Sequence, residues 1–553
     1  MTTRTPLSFG QESLWLAEAL VPGLSAYTLP FCWSIGGELD VPALEQAIAR
    51  LVDRHQVLRT ELVTSAEGQY QRVREDVRFE LARTDLSALP ADAARAEVRR
   101  RVRRCLDEPF DLARAPQLTG ELFCLGSAEH ILVLVTHHAF SDEWSHAVLR
   151  TEISEHYGAA LEHRDPDLPD LPVQYGDYAR WQRLEVEPFL SEDLAYWTEQ
   201  LADLPVLALP TDGERPATRR FAVAVCERRV EPALFETVAR FARSLDTTPF
   251  VVLLAAFDVL MARWAGQDEV VVGTPVSGRD EPELAGLAGH FVNTVVHRVD
   301  CRRTELFHDL VRRVAVLVSD GLAHQQAPLH QVVQRLNPVR DMSRHPLFQV
   351  TFQVVPGGEP LRLPGLEVVD RFAEMVDDDG VFAEFDLVVD VVTDDSGANL
   401  VVRYATELFH RSTMEWMVDG YLGVLEQVMA RPGTPVGTVE VATRSTAPVP
   451  TAGAGQAGPA PGDDRAAAAT WASGPAAELR DRMCAIWAEM LELTEVDPDA
   501  NFFEIGGGSL AGARLVLRMR ESLGITVALV DLFDAGSVNG VLEVLAVRPP
   551  ARV

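Results

Sequence analysis

Residues 446–475 read TAPVPTAGAGQAGPAPGDDRAAAATWASGP, a run with almost no large apolar residue. Such a stretch cannot bury enough surface to offset the entropy of ordering it, so it reads as a linker. It forces the chain to fold as at least two separate pieces. The first, 1–445, is too long for one ordinary core. It is expected to hold two lobes, about 1–170 and about 171–445, with the Asp- and Pro-rich RDPDLPDLP at 164–172 as the crossover. The second, 476–548, is near the lower limit for independent folding and is expected to be a small helical bundle.

Composition narrows the class. Across 553 residues, 47% are hydrophobic and 24% charged, the balance of a soluble globular protein. The formal net charge of −32 works against binding nucleic acid or an anionic membrane, both of which need basic surface. Between Ala476 and Ala546 there are 12 acidic and 5 basic residues, so the small piece is acidic too. Six scattered cysteines (Cys32, Cys105, Cys124, Cys226, Cys301, Cys484) form no CxxC pair and read as buried thiols, not as a disulfide framework or a zinc site. The opening MTTRTPLSFG lacks a signal pattern, and no 18-residue apolar run occurs, so a cytoplasmic location is expected.

Periodicity makes the large piece α/β. Helical patterns cover 42–54, 144–162, 232–244, 248–265, 304–319 and 412–430. Strand patterns cover ILVLVT (131–136), EVVVGTPV (269–276) and FQVTFQVV (348–355), with a hairpin of FDLVVDVV and NLVVRYAT turning at 394–397.

The stretch VLVTHHAFSDEWSHAVL (133–149) ends an apolar strand on His137 and His138, and Ser141 or Asp142 can cap a helix beginning near Glu143. Trp144, Val148, Tyr157 and Leu161 are among its apolar positions. A strand-to-helix turn is a common place for catalytic groups. Neighbours in an extended segment point to opposite sides, so one histidine can face a cavity while the other packs. Asp142 would orient the turn or pair with a cation. On these residues alone, a buried histidine satisfied by a carbonyl, with Asp142 only a cap, is the favoured reading. Two adjacent histidines are poorly placed to chelate one metal ion, and no third ligand stands at zinc spacing.

In the small piece, Gly506–Gly508 precede Ser509, which opens an amphipathic pattern through Ser522. A helix start offers free N–H groups and positive partial charge, which suits an anionic phosphodiester on that serine; a plain cap is the alternative. A nucleophile elbow is excluded because position 511 is alanine and no strand precedes. A dinucleotide loop is excluded because the piece has no βαβ unit.

An ordered set of motifs now carries a resemblance. LSFGQESLWL (7–16), RHQVLRTEL (54–62), HHAFSDEWS (137–145), YGDYARWQ (175–182), GTPVSGRD (273–280), GHFVNTVVHR (289–298), HQQAPLHQVV (324–333), RDMSRHPLFQVTF (340–352), EFDL (384–387) and RYATELF (403–409) follow one another. Residues 1–445 thereby resemble a nonribosomal peptide synthetase condensation domain, and 476–548 resemble a peptidyl carrier protein. The resemblance implies a two-lobed α/β (α+β) fold like that of chloramphenicol acetyltransferase, with a tunnel between the lobes, and a small all-α four-helix carrier bundle. It implies amide formation between a donor acyl thioester and an acceptor amine. His138 would be the catalytic base or positioning group, with His137 packing beside it. Asp142 would be held in a structural salt bridge with Arg279, and 4'-phosphopantetheine would be attached to Ser509. Ester formation with an alcohol, or a non-catalytic docking platform for a tailoring enzyme, are the alternatives.

One departure stands out: the family's motif usually has glycine where Glu143 stands, which marks Glu143 as an acceptor-channel candidate. No adenylation domain separates the two pieces, and for a complete chain the expectation is that no carrier precedes residue 1. The expected partners are therefore an upstream donor carrier and an adenylation enzyme, both in trans, and a phosphopantetheinyl transferase, with no nucleic acid and no membrane.

Overall fold

The computed structural model describes residues 4–441 and 475–547, apart from 21–26, 66–67, 217–221, 339–340, 342, 372–380, 383–384, 395–396, 492, 503–504, 506–508, 524, 526, 528–530 and 533–534. The linker read from composition lies outside the described residues, up to the helix that begins at Pro475. The chain forms two compact units. One comprises Met1–Gln11, Ser25–Val63 and Tyr70–Ser445; the other comprises Glu12–Leu24, Thr64–Gln69 and Thr446–Val553.

The strands are, in chain order, β1 (Thr28–Gly36), β2 (Thr60–Ser65), β3 (Gly68–Val73), β4 (Ala82–Asp85), β5 (Leu118–Cys124), β6 (Glu129–His137) and β7 (Ala222–Val230). They continue with β8 (Glu269–Val276), β9 (Asn293–Asp300), β10 (Val350–Pro356), β11 (Glu367–Asp370), β12 (Val381–Phe382), β13 (Leu387–Asp394) and β14 (Gly397–Ala405). One sheet has the order β11-β1-β6-β5-β4, a second has β12-β7-β14-β13-β10-β8-β9, and β2 pairs with β3.

In the first sheet β6 runs between β1 and β5, antiparallel to both. Its residues from His130 to His137 are buried on both faces, which is why ILVLVT reads as a continuous apolar run and not an alternation. The helix Ala91–Asp107 packs Val98, Val102 and Leu106 on one face of this sheet, against Cys32, Val133 and Val135. In the second sheet the expected hairpin forms: β13 and β14 pair from Leu387↔Tyr404 to Asp394↔Gly397. The helix Pro249–Ala265 is buried continuously from Val251 to Ala262 and anchors the core of this lobe. Tyr421, from the helix Arg411–Ala430, donates its hydroxyl to Leu253 O at 3.0 Å.

Two features differ from the sequence reading. Strand β11 comes from deep within the stretch assigned to the second lobe, yet it is the edge strand of the first sheet, pairing Trp33↔Asp370 through Gly36↔Glu367. A four-residue segment has too little pattern to announce this. The helix Glu143–Glu162 also buries a face other than the one its apolar residues suggest. Trp144 is 46% and Leu161 38% exposed, whereas Ser145, His146, Glu152 and His156 lie inside with Leu149, Ile153 and Tyr157. Partners explain part of the inversion: Glu152 meets His55 Nε2 and Arg54 Nε, each at 2.9 Å.

In the other unit, helices Pro475–Met490, Ser509–Leu523 and Val538–Val547 surround Trp487, Phe502, Leu515, Met519 and Val541. Trp487 and Phe502 meet edge to face at 5.1 Å. The six cysteines are free, and burial pushes the Cys32 thiol up to about 12. Among the described residues no single helix is long and apolar enough to cross a membrane.

Candidate active site

The site is built on the turn that leaves β6. His137 ends the strand fully buried, its ring among those of Tyr27, Phe110 and Phe140, and its Nδ1 accepts from Ala139 N at 3.1 Å. His138 points the other way and stays half-buried, its backbone N–H held by Tyr27 O at 2.8 Å. Its Nδ1 lies 2.9 Å from Ser141 O. A carbonyl oxygen only accepts, so Nδ1 carries the proton and the Nε2 lone pair is left for chemistry. No described residue hydrogen-bonds that Nε2. Burial lowers the His138 pKa, although the Asp142 charge opposes this, so the ring is neutral near pH 7.

Asp142 caps the following helix and is completely buried. Its Oδ1 accepts from Ser145 N at 2.7 Å, Ser145 Oγ at 2.6 Å and Arg279 Nη2 at 3.0 Å, and its Oδ2 accepts from Phe291 N at 3.0 Å. Burial alone would raise this carboxyl; Arg279, Ser145 and the Phe291 N–H outweigh it and hold it below the usual range. Arg279 follows β8. Its Nη1 donates to Leu284 O at 2.6 Å and Leu287 O at 2.9 Å, and its guanidinium sits 3.9 Å from the Phe291 ring centroid. Gly278 before it has φ +62°, and a Cβ there would come 2.1 Å from Phe291 O, so only glycine lets the chain deliver this arginine. The ion pair therefore ties the histidine turn of the first lobe to the loop between β8 and β9 of the second.

The amino-terminal segment closes another side. Gln11 is fully buried and donates Nε2 to Ala139 O at 3.3 Å, next to His138. Tyr175 donates its hydroxyl to His290 O at 2.6 Å and lies 2.7 Å from Ser8 Oγ, which must then be the donor to it. Glu143 opens the helix beside Asp142 with its side chain 74% exposed and its Oε2 3.3 Å from His146 Nδ1, which holds the carboxyl down.

The structure thus brings His137, His138, Asp142, Glu143 and Arg279 together. It also adds groups that sequence reading did not single out. Ser145 stands three residues after Asp142, the spacing of a cap that accepts from the helix backbone, so its link to the carboxylate had a local signal. Phe291 and His290 lie in GHFVNT, quoted as a motif but without any cue that the Phe291 N–H would reach Asp142 or the His290 ring reach His138. Ser509 is elsewhere, as the first residue of the helix Ser509–Leu523 in the other unit; Gly506–Gly508, like Glu384 of EFDL, lie outside the described residues. A serine opening a fifteen-residue helix fits a phosphodiester, because the first-turn N–H groups have no intrahelical partner.

Comparison with known proteins identifies the families of both pieces. A family model described as "Condensation domain" matches residues 1–447, and one described as "Phosphopantetheine attachment site" matches residues 481–545. Chondramide synthase cmdD of Chondromyces crocatus is 34% identical over 443 residues, 79% of this chain and 11% of that protein. Tyrocidine synthase 3 of Brevibacillus parabrevis is 32% identical over 439 residues, 79% of this chain and 6% of that protein. The chain therefore spans about a tenth or less of the length of these relatives. Among solved structures, the complex of the X-domain and OxyB from teicoplanin biosynthesis superposes with a TM-score of 0.69 at 26% identity, covering 80% of this chain and 97% of that one. The chain belongs to the condensation-domain family of nonribosomal peptide synthetases, followed by a carrier domain of the kind that bears covalent 4'-phosphopantetheine.

Proposed function

We propose that this chain forms an amide bond, joining the acyl group of a donor thioester to an acceptor amine. The observation that carries the reading is the geometry of His138: half-buried, its Nδ1 2.9 Å from Ser141 O and its Nε2 without a partner among the described residues, in surroundings whose burial lowers its pKa. As the amine nitrogen attacks the thioester carbon, the C–N bond forms and the C–S bond breaks. The nitrogen sheds a proton to His138 Nε2, which returns it to the departing thiolate. General-base help of this kind is typically worth about 10²–10⁴ in rate, and holding the reactants in register supplies several kcal/mol more. The phosphopantetheine on Ser509 supplies a long thiol-ended arm. Asp142 and Arg279 fix the turn that aims His138 and take no part in proton transfer. The partners of this reading are a donor carrier, an adenylation enzyme and a phosphopantetheinyl transferase that loads the serine.

The test is His138→Ala, assayed by product mass with a loaded donor carrier. Amide formation falls by at least about 10² while Ser509 still accepts its cofactor. Wild-type turnover in that variant would refute the assignment. A second reading, a docking platform, is favoured by the likeness to an X-domain solved with OxyB. Wild-type protein yielding no amide from any loaded donor, while retaining a tailoring enzyme on a column, would select it; an ester product would identify an alcohol acceptor instead.

A further inference from the structure

His290 faces His138 across the junction between the lobes. The two ring centroids are 4.8 Å apart with planes at 88°, and the two Nδ1 atoms are 3.1 Å apart. Since Ser141 O can only accept, the proton between these nitrogens belongs to His138, and His290 Nδ1 is the acceptor of a shared hydrogen bond. Neutral His290 must then carry its own proton on Nε2. A doubly protonated His290 would turn a second N–H against the first, and burial together with the neighbouring His138 pushes its pKa down to about 3.

The ring is held in that orientation from several sides. The backbone around it is fastened by the groups that fasten the histidine turn: Gly289 N donates to Ser145 Oγ at 3.0 Å and Phe291 N to Asp142 Oδ2 at 3.0 Å. The ring itself lies against Gly10, where a Cβ would approach His290 Cδ2 to 2.3 Å and Nε2 to 2.9 Å. The glycine of LSFGQ is thus the notch that admits this imidazole.

We propose that His290 is a positioning residue for His138: by accepting from Nδ1–H alongside Ser141 O it reinforces the tautomer that leaves the Nε2 lone pair on the reactant side, and Gly10 is the notch that seats it. Had the proton moved to Nε2, His138 would present a donor where the reaction needs a base. The inference rests on the reading of His138 as that base, but its test does not require turnover.

The test is 15N-histidine NMR of the wild-type full chain at pH 7, assigned through His138→Gln and His290→Gln. It should show His138 protonated at Nδ1 and His290 at Nε2. Finding His290 protonated at Nδ1, or His138 at Nε2, overturns the proposal, whatever the activity of His138→Ala says about the base. Kinetics follow: His290→Phe, similar in size without an acceptor, is expected to lower kcat about tenfold at unchanged KM and to raise the fraction of His138 protonated at Nε2, with Ser141 O left as its one Nδ1–H acceptor. His290→Asn, whose Oδ1 can replace the acceptor, should recover most of the rate. Gly10→Ala should repeat the His290→Phe tautomer change from outside the pair. If His290→Phe folds and keeps both wild-type kcat and the wild-type tautomer, the proposal fails.

Discussion

At the scale of single residues, the strongest constraint in the site is a buried charge pair. The Asp142 and Arg279 side chains are 0% and 1% exposed, 3.0 Å apart. Removing one leaves the other charged and desolvated, which typically costs about 3–5 kcal/mol, whereas replacing both with apolar groups costs much less. Asp142→Ala should therefore lower the urea midpoint of the large unit far more than Asp142→Leu combined with Arg279→Met. Equal losses would show that the pair contributes no such penalty. Neighbouring Glu143 behaves differently. With its carboxylate mostly in water beside His146, Glu143→Gly should leave the melting temperature within about 2 °C while changing selectivity among acceptor amines, if the glutamate reads the acceptor. Unchanged selectivity across neutral and cationic acceptors would reduce Glu143 to a solvated first-turn residue. Asp142 and Glu143 were legible from sequence because one motif places them consecutively after the histidines, and Arg279 because a separate motif, GTPVSGRD, carries it. The coupling of His138 to His290 was not, because 152 positions separate them and only the fold sets them side by side.

At the scale of elements, the helix Pro249–Ala265 is apolar nearly all round, as expected of a helix at the centre of a lobe. Within its buried stretch from Val251 to Ala262 the exception is Asp258, fully buried with neither carboxylate oxygen partnered among the described residues. Burial raises its pKa well above the ordinary value, so the folded state keeps it protonated. The sign follows from linkage. Below about pH 3.9 both states hold the proton and the group has no effect; above it the unfolded chain releases a proton that the folded chain retains, so stability falls as pH rises. Asp258→Asn removes that dependence. Its advantage over wild type in chemical denaturation should vanish near pH 3.5. It should grow by up to about 1.4 kcal/mol per pH unit above pH 3.9, until the folded carboxyl itself titrates. A pH-independent difference would place a partner beside Asp258. Elements also mark where sequence reading stops. The helix over 144–162 was found by its pattern, but its buried face was not, since Ser145, Glu152, His146 and His156 lie inward and three of these have polar partners. Strand β11 was missed because its pairing belongs to the other lobe's sheet.

At the scale of the whole molecule, a condensation domain and a carrier domain stand on one chain, joined by a stretch with almost no core-forming residues, and on the proposed reading the carrier delivers the acceptor to its own condensation domain. Covalent attachment replaces a bimolecular encounter with an effective concentration in the millimolar range for a flexible tether that can reach. On the proposed attachment at Ser509, that advantage needs its hydroxyl, the only atom of that side chain able to take the phosphodiester. Ser509→Ala should therefore show no mass increase with a phosphopantetheinyl transferase and no product from its own carrier, while its large unit stays intact. Adding the loaded carrier as a separate protein should restore amide formation. At about 10 μM of that carrier, turnover should be at least tenfold below the intact chain, rising with carrier concentration toward the tethered rate. Saturation at micromolar carrier would mean that docking affinity, not the tether, sets delivery. Loading of the alanine variant would move the attachment site away from residue 509 and with it the assignment of the helix start as the phosphate seat.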